Sequence, residues 1–130
     1  MAVTVTYQDH STIKKMTFDW ETDAASEASV NTKAISGQIL SVICRPGDGT
    51  EAPTNAYDLY FKGPVDATNY GVDHFAGFGS NLSSTSTSVF CPQFHSATYR
   101  NTAVALCGKY HFSVKNAGSW NTGVCVLHYR

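Results

Sequence analysis

The sequence predicts an all-β protein: a single antiparallel β-sandwich of about eight strands, with a jelly-roll-like arrangement. Apolar and polar residues alternate along several runs, which is typical of strands with one buried face. Segments rich in Gly, Pro, Asn and Ser separate these runs at the spacing expected for sandwiches and jelly rolls. No stretch has a sustained helical period. We therefore expect layered sheets that share one apolar core.

The first two strands are predicted at residues 2–7 and 13–20. In the first, two valines and a tyrosine alternate with threonines, so one face is polar. In the second, Met16, Phe18 and Trp20 share one face, which we expect to be buried.

The middle of the chain predicts two more strands between polar connections. Residues 21–32 are small and polar and predict a loop, with room for a helical turn. Residues 33–45 predict a long strand that is apolar on both faces near its end, and therefore central in its sheet. The segment from Arg45 to Pro53 predicts a loop, because Pro and Gly suit the backbone angles of turns. A strand follows at residues 56–61.

The second half begins with a turn region and continues with shorter strands. Residues 71–82 are rich in Gly, Asp and aromatic side chains and predict turns. A Ser/Thr tract at residues 83–88 predicts an exposed loop. Residues 88–94 predict a strand that is interrupted by Pro92, which indicates a sheet edge or a bulge.

The C-terminal quarter predicts two paired strands. Residues 104–115 alternate, with Tyr110, Phe112 and Val114 facing inward. The segment from Asn116 to Ser119 predicts a hairpin connection. The last strand, residues 123–129, is then expected to pair back on its predecessor.

Length and composition indicate one domain that spans residues 1–130. A chain of this size buries about two-thirds of its unfolded surface, and 42% hydrophobic content is typical of globular proteins. The net charge of −1 provides no electrostatic basis for binding nucleic acid or an anionic membrane. No apolar run approaches the roughly 20 residues of a membrane helix, and the N-terminus does not resemble a signal peptide. We expect synthesis and folding in the cytosol.

The cysteines favour free thiols, with two disulfide bridges as the open alternative. The chain has four cysteines without a C-x-x-C pair, and it is large enough to form a core without bridges. Cys44, Cys91 and Cys125 lie in apolar runs, where thiols behave as small buried hydrophobes. The fourth is Cys107, and the sequence does not determine whether any of the four is bridged.

None of the polar motifs predicts a catalytic, cofactor-binding or metal site. The five histidines lack metal-ligand spacing; His111 and His128 would meet only across the two final strands. The pair Asp73-His74 has no serine in a nucleophile elbow beside it, and Asp73 is better explained as a turn cap. Gly77-Phe78-Gly79 lacks the third glycine and the helix of a nucleotide-binding loop. We therefore expect a protein that is not an enzyme and has no cofactor.

Aromatic side chains leave a carbohydrate-binding module open as an alternative. Such modules present exposed aromatic rings on one surface, whereas aromatics at alternating strand positions are usually core or interface residues. The tripeptide Asn81-Leu82-Ser83 also fits a glycosylation sequon, a pattern that is common by chance. The candidate stacking residues are Tyr57, Tyr60, Tyr70, Tyr99 and Trp120.

An ordered set of turn and core motifs, from about Ile13 to Tyr129, resembles a family of small structural proteins of tailed bacteriophages. The chain differs from that pattern in its four cysteines and in Lys62-Gly63-Pro64, where an acidic turn is usual. The motifs are Phe18-x-Trp20-x-x-Asp23-Ala24, Ile35-Ser36-Gly37-Gln38-Ile39-Leu40, Pro46-Gly47, Ala52-Pro53-Thr54-x-x-Tyr57-Asp58-Leu59, Gly71-Val72-Asp73-x-Phe75-Ala76-Gly77-x-Gly79-x-Asn81-Leu82 and Phe112-Ser113-Val114-x-Asn116-Ala117-Gly118-x-x-x-Thr122-Gly123-Val124.

The resemblance implies a virion protein without turnover, a capsid cement or decoration protein on the outer face of the phage head. Its implied partners are the major capsid protein and further copies of itself, as a dimer or trimer, with neither nucleic acid nor membrane involved. A head–tail adaptor or tail component of the same virion is the alternative. Exposed aromatics and the edge strand with Pro92 are the expected docking surfaces. Residues 1–12 are a second candidate, as an extended arm in which the polar segment Val3–Thr12 reaches a neighbouring subunit.

Overall fold

The computed structural model describes residues 3–66, 70–94 and 102–130, and it confirms the predicted antiparallel β-sandwich. The described residues include no α-helix, only a 3-10 turn at Gly49–Glu51. Several strands have only two or three residues, so the described strands outnumber the predicted ones. They are β1 (Val3–His10), β2 (Ile13–Glu21), β3 (Ala28–Asn31), β4 (Ile35–Pro46), β5 (Asp58–Gly63), β6 (Val72–Asp73), β7 (Ser88–Phe90), β8 (Gln93–Phe94), β9 (Thr102–Ala103), β10 (Ala105–Gly108), β11 (His111–Lys115) and β12 (Thr122–Tyr129).

The larger layer, sheet A, contains six strands in the order β1-β2-β12-β4-β10, with β7 also paired to β4. Strand β4 is central, as its apolar pattern predicts, because β12 lies on one side and β7 and β10 share the other. Strand β7 ends at Phe90, shortly before Pro92, at the edge of the sheet. The prediction of an edge at Pro92 is therefore confirmed.

The second layer, sheet B, has the order β3-β11-β5-β6, and β8 and β9 form a separate two-stranded pair. The two layers enclose one core. Phe18 of sheet A stacks on Phe112 of sheet B with ring centroids 4.2 Å apart, and Phe61 meets Phe18 edge-on. Met16, Phe18 and Trp20 are buried on one face of β2, as predicted.

The predicted C-terminal hairpin is wrong. The run 104–115 is divided at Gly108, whose φ of +116° turns the chain, so β10 belongs to sheet A and β11 to sheet B. Strand β12 then pairs with β2 and β4 instead of β11. The segment from Asn116 to Ser119 therefore crosses between the two layers. The continuous apolar run of β12 suits a strand that has neighbours on both sides.

Two N-terminal segments also differ from expectation. The predicted loop at residues 21–32 contains β3, because Ala28 is buried and Val30 packs against the core while both pair with β11. The segment proposed as an arm forms β1, which pairs with β2 along all of Val3–His10. This segment is thus an edge strand of the sandwich, as its alternating pattern also predicts.

Candidate functional site

The turn that follows β6 is organised by the carboxylate of Asp73. Its Oδ1 accepts hydrogen bonds from the backbone N–H groups of Phe61, at 3.0 Å, and Phe75, at 3.1 Å. Its Oδ2 accepts one from Gly77, at 3.2 Å. The prediction that Asp73 caps a turn is confirmed, and its carboxylate is used to hold the backbone of residues 73–77.

His74 is also part of this structural framework. The ring is buried, and Nδ1 lies 2.8 Å from the carbonyl oxygen of Val72. Because a carbonyl oxygen only accepts, Nδ1 carries the proton and donates. The ring packs edge-on against Tyr110, with centroids 4.8 Å apart. The Asp73-His74 pair therefore shapes the turn and the core beneath it.

The glycines of this turn have the backbone role that the sequence indicates. Gly77 has a φ of +82°, in the left-handed region that favours glycine. A Cβ atom at Gly79 would lie 2.4 Å from the carbonyl oxygen of Leu59, so the close approach of the two segments requires glycine there.

The Asp73 turn presents a small exposed apolar surface, the Phe78 surface, which consists of the ring of Phe78 and the ring of Phe90 beneath it. Phe78 is 46% exposed, and Phe90 is partly buried against the core. The ring of Phe78 stacks on that of Phe90 with centroids 6.2 Å apart, and Phe90 meets the fully buried Phe75 edge-on. The exposed Phe78 ring is thus supported by the core through Phe90, which favours a preformed docking surface.

A separate apolar row crosses the outer face of sheet A and begins at Val89, which is 66% exposed and points to the opposite face from its neighbour Phe90. Val89 lies opposite Ile43, and Ile43 lies opposite Val126. Val126 is 5% exposed although it faces away from the core between the sheets. Sheet A therefore has an apolar strip on its outer side that begins at Val89.

The outer face of sheet B carries a second, more polar candidate, the sheet B groove, with a volume of about 180 Å³. The half-exposed ring of Tyr70 stacks on His111 with centroids 4.2 Å apart, and His111 Nδ1 lies 2.7 Å from Asn31 Oδ1. Burial lowers the pKa of His111, and the charges of Lys115 and Lys62 lower it further. The groove is lined by Glu27, Ala28, Ser29, Lys62, Tyr70, His111, Ser113, Val114 and Lys115.

Of the other proposed stacking residues, Tyr60 borders the sheet B groove, because it lies opposite Ser113 on β11. Tyr57 is buried in the core, so it is not a surface platform. Trp120 is 53% exposed, in the turn before β12. Tyr60 lies on β5 beneath the ammonium group of Lys62, which is 5.1 Å from its ring centroid. Tyr99 lies outside the described residues.

The fold separates His111 from His128 but brings Cys44 and Cys125 together. His111 and His128 lie in different sheets and do not meet across a ladder, because the two final strands do not pair as predicted. In the described residues, no three side chains of His, Cys, Asp or Glu are grouped to hold a metal ion. Cys44 and Cys125 are buried free thiols, as expected, whereas Cys91 is exposed and the prediction of its burial is wrong. The reason is that β7 ends one residue earlier, so Cys91 has already left the sheet.

No known protein family, curated protein or solved structure that was compared with this chain matches it. The described part of the chain has no helix that is long and apolar enough to span a membrane. The sandwich and its surfaces are therefore the observations on which a function can be based.

Proposed function

We propose that this protein is a capsid cement, or decoration, protein of a tailed bacteriophage. It binds the outer face of the head and bridges neighbouring subunits of the major capsid protein, after synthesis in the host cytoplasm. The resemblance from Ile13 to Tyr129 supports the phage setting. The observation that carries the docking role is the Phe78 surface, in which the exposed ring of Phe78 rests on Phe90, a ring that packs against the core.

Such a role needs binding but no chemistry. A protein that binds only the assembled shell favours assembly by mass action. The stabilisation from many copies of one modest interface accumulates over the shell, since each copy that bridges two subunits resists their separation. The arrangement of Asp73 fits this role, because a carboxylate that holds three backbone N–H groups fixes the turn on which Phe78 is presented.

Particle binding tests the proposal directly. Recombinant protein is added to purified particles that lack it, and bound copies are counted by quantitative gel. We expect copies on the order of hundreds and a higher melting temperature of the shell; about six or twelve copies would instead indicate an adaptor ring with closed cyclic symmetry. Particles that never acquire this polypeptide would contradict the proposal.

The docking surface is tested with matched variants. Phe78→Ser removes exposed apolar area from the Phe78 surface and is expected to lower occupancy at least about tenfold, a loss of about 1.4 kcal/mol. Trp120→Ser is the control, since Trp120 is similarly exposed and lies in a different turn. Equal occupancy for both variants would exclude the Phe78 surface as the contact.

The sheet B groove supports a second candidate function, binding of a saccharide. The stacked pair Tyr70–His111 provides an aromatic platform, and the lysine and serine side chains beside it provide hydrogen-bond donors. Binding on a glycan array that is lost with Tyr70→Ala and retained with Trp120→Ala would support this function. Retention of binding by Tyr70→Ala would place the sugar elsewhere.

A further inference from the structure

In the described part of the chain, strand β1 is the edge strand on one long side of sheet A. It pairs with β2 at every position from Val3 to His10, without a bulge. Among the described residues, its backbone has no hydrogen-bonding partner on the opposite side. Alternate N–H and C=O groups of this strand therefore point outward, and such a row is a template for another strand.

The other edge strands of the two sheets have features that discourage pairing with another chain, and β1 lacks these features. Strands β3, β6, β7 and β10 are two to four residues long, so they offer little backbone for pairing. Strand β10 ends in glycine, and Pro92 follows β7. Strand β1 has eight residues and contains no Pro, Gly or Lys, the residues that usually discourage edge pairing.

We propose that β1 pairs antiparallel with β1 of a second copy of this chain, around a twofold axis, to form a continuous sheet shared by two molecules. A twofold axis perpendicular to the sheet keeps each residue on its own face, so residues of the same parity oppose each other. The register that best matches side chains places Val5 opposite Val5 of the second copy. Val3 then lies opposite Tyr7, and Thr4 opposite Thr6.

Strand β1 of a second copy is the preferred partner because the strand is complementary to itself in shape and charge. The segment Val3–Tyr7 carries no charge, so self-pairing brings no like charges together. The only carboxylate of β1, Asp9, already lies opposite Lys14 within its own hairpin. A register with Thr6 opposite Thr6 of the second copy would place Val3 opposite Asp9, an apolar side chain against a charge.

The side chains of β1 are held ready for this pairing. Val3, Val5 and Tyr7 pack against the core from the inner face of sheet A. The Tyr7 hydroxyl accepts a hydrogen bond from the backbone N–H of Lys33, at 3.0 Å, and the Lys33 ammonium lies 4.3 Å from the ring centroid. A pre-ordered strand loses less conformational entropy on association. The inference deepens the proposed function by naming its self-association surface, and its biological role rests on that function.

Charge substitutions on the exposed face of β1 test both the interface and its register. In the variant Thr4→Lys/Thr6→Lys, two pairs of ammonium groups would oppose each other, and we expect the dimer dissociation constant to rise at least tenfold. In Thr4→Lys/Thr6→Glu, each new ammonium opposes a new carboxylate, so dimerisation is expected to be retained. Both threonines are exposed, so neither variant disturbs the core. The control is Thr85→Lys/Thr87→Lys, which adds the same charge on an exposed loop.

Sedimentation velocity over a wide concentration range measures the dimer, and amide hydrogen exchange of residues 3–7 locates it. We expect slower exchange at high concentration in the unmodified protein, in the charge-paired variant and in the loop control, but not in the double-lysine variant. A monomer at all concentrations would overturn the inference, as would a dimer that the double-lysine variant leaves intact. Neither result depends on particles, so it is distinct from a failure of the capsid role.

Discussion

Gly123 lies directly opposite Trp20 on the neighbouring strand, and the indole ring occupies the space that a side chain at position 123 would need. A Cβ atom there would lie 2.2 Å from Cζ2 and 2.6 Å from Cε2 of Trp20. The indole is buried and packs against Tyr57, with ring centroids 5.7 Å apart. Glycine at this point of β12 is therefore required by contact, since its φ is not in the left-handed region.

We expect Gly123→Ala to destabilise the domain by about 1–3 kcal/mol, because the added methyl group overpacks a buried ring. Urea unfolding measures the change. Trp20→Phe in the same chain removes the crowded atoms, so the double variant should lose less stability than the two single changes added together. Additive losses would show that the two positions are not coupled.

Asp73→Ala is expected to lower the free energy of unfolding by about 2 kcal/mol, since three backbone N–H groups lose a charged acceptor. The matched control is Asp48→Ala, because Asp48 is exposed and its side chain makes no capping hydrogen bond. The control should change stability by less than about 0.5 kcal/mol. If both variants unfold at the same urea concentration, the Asp73 carboxylate does not stabilise the turn.

Thiol labelling of the native protein at mildly alkaline pH should modify Cys91 and Cys107 and spare the other two. Cys44 and Cys125 are buried opposite each other on β4 and β12, with their sulfur atoms 3.9 Å apart. Burial raises the pKa of the Cys125 thiol, and the contact with Cys44 raises it further, so little thiolate forms. Mass spectrometry before and after denaturation counts the labels. Rapid native labelling of Cys125 would contradict this arrangement.

Stability should fall as the pH drops below about 6.5, in part because of His111. Burial and then the charges of Lys115 and Lys62 depress its pKa in the folded state below the ordinary value of 6.5. The unfolded chain therefore binds a proton between these two pKa values that the folded chain does not, and protonation favours unfolding. Urea titrations at several pH values test this effect.

His111→Gln should make the stability less dependent on pH in this window. The comparison is His10→Gln, an exposed position next to the turn between β1 and β2, which should keep the full dependence. Identical pH profiles for the unmodified protein and His111→Gln would exclude His111 as a source of the acid sensitivity.

Local patterns in the sequence were enough to establish which face of a strand is buried and where several of the turns lie. The alternation of Met16, Phe18 and Trp20 and the capping role of Asp73 are local properties, because a strand has a period of two and a short polar side chain bonds its nearest backbone groups. These predictions are confirmed. The capsid role and its partners stay predictions.

The pairing of the strands, in contrast, became known only from the folded chain. The break at Gly108, the place of β12 between β2 and β4, and the exposure of Cys91 depend on contacts between distant segments. Gly123 resembles an ordinary strand residue until Trp20 is placed beside it. An alternating strand can satisfy its backbone equally well beside any partner of matching pattern, so the choice follows from how all side chains fill the shared core.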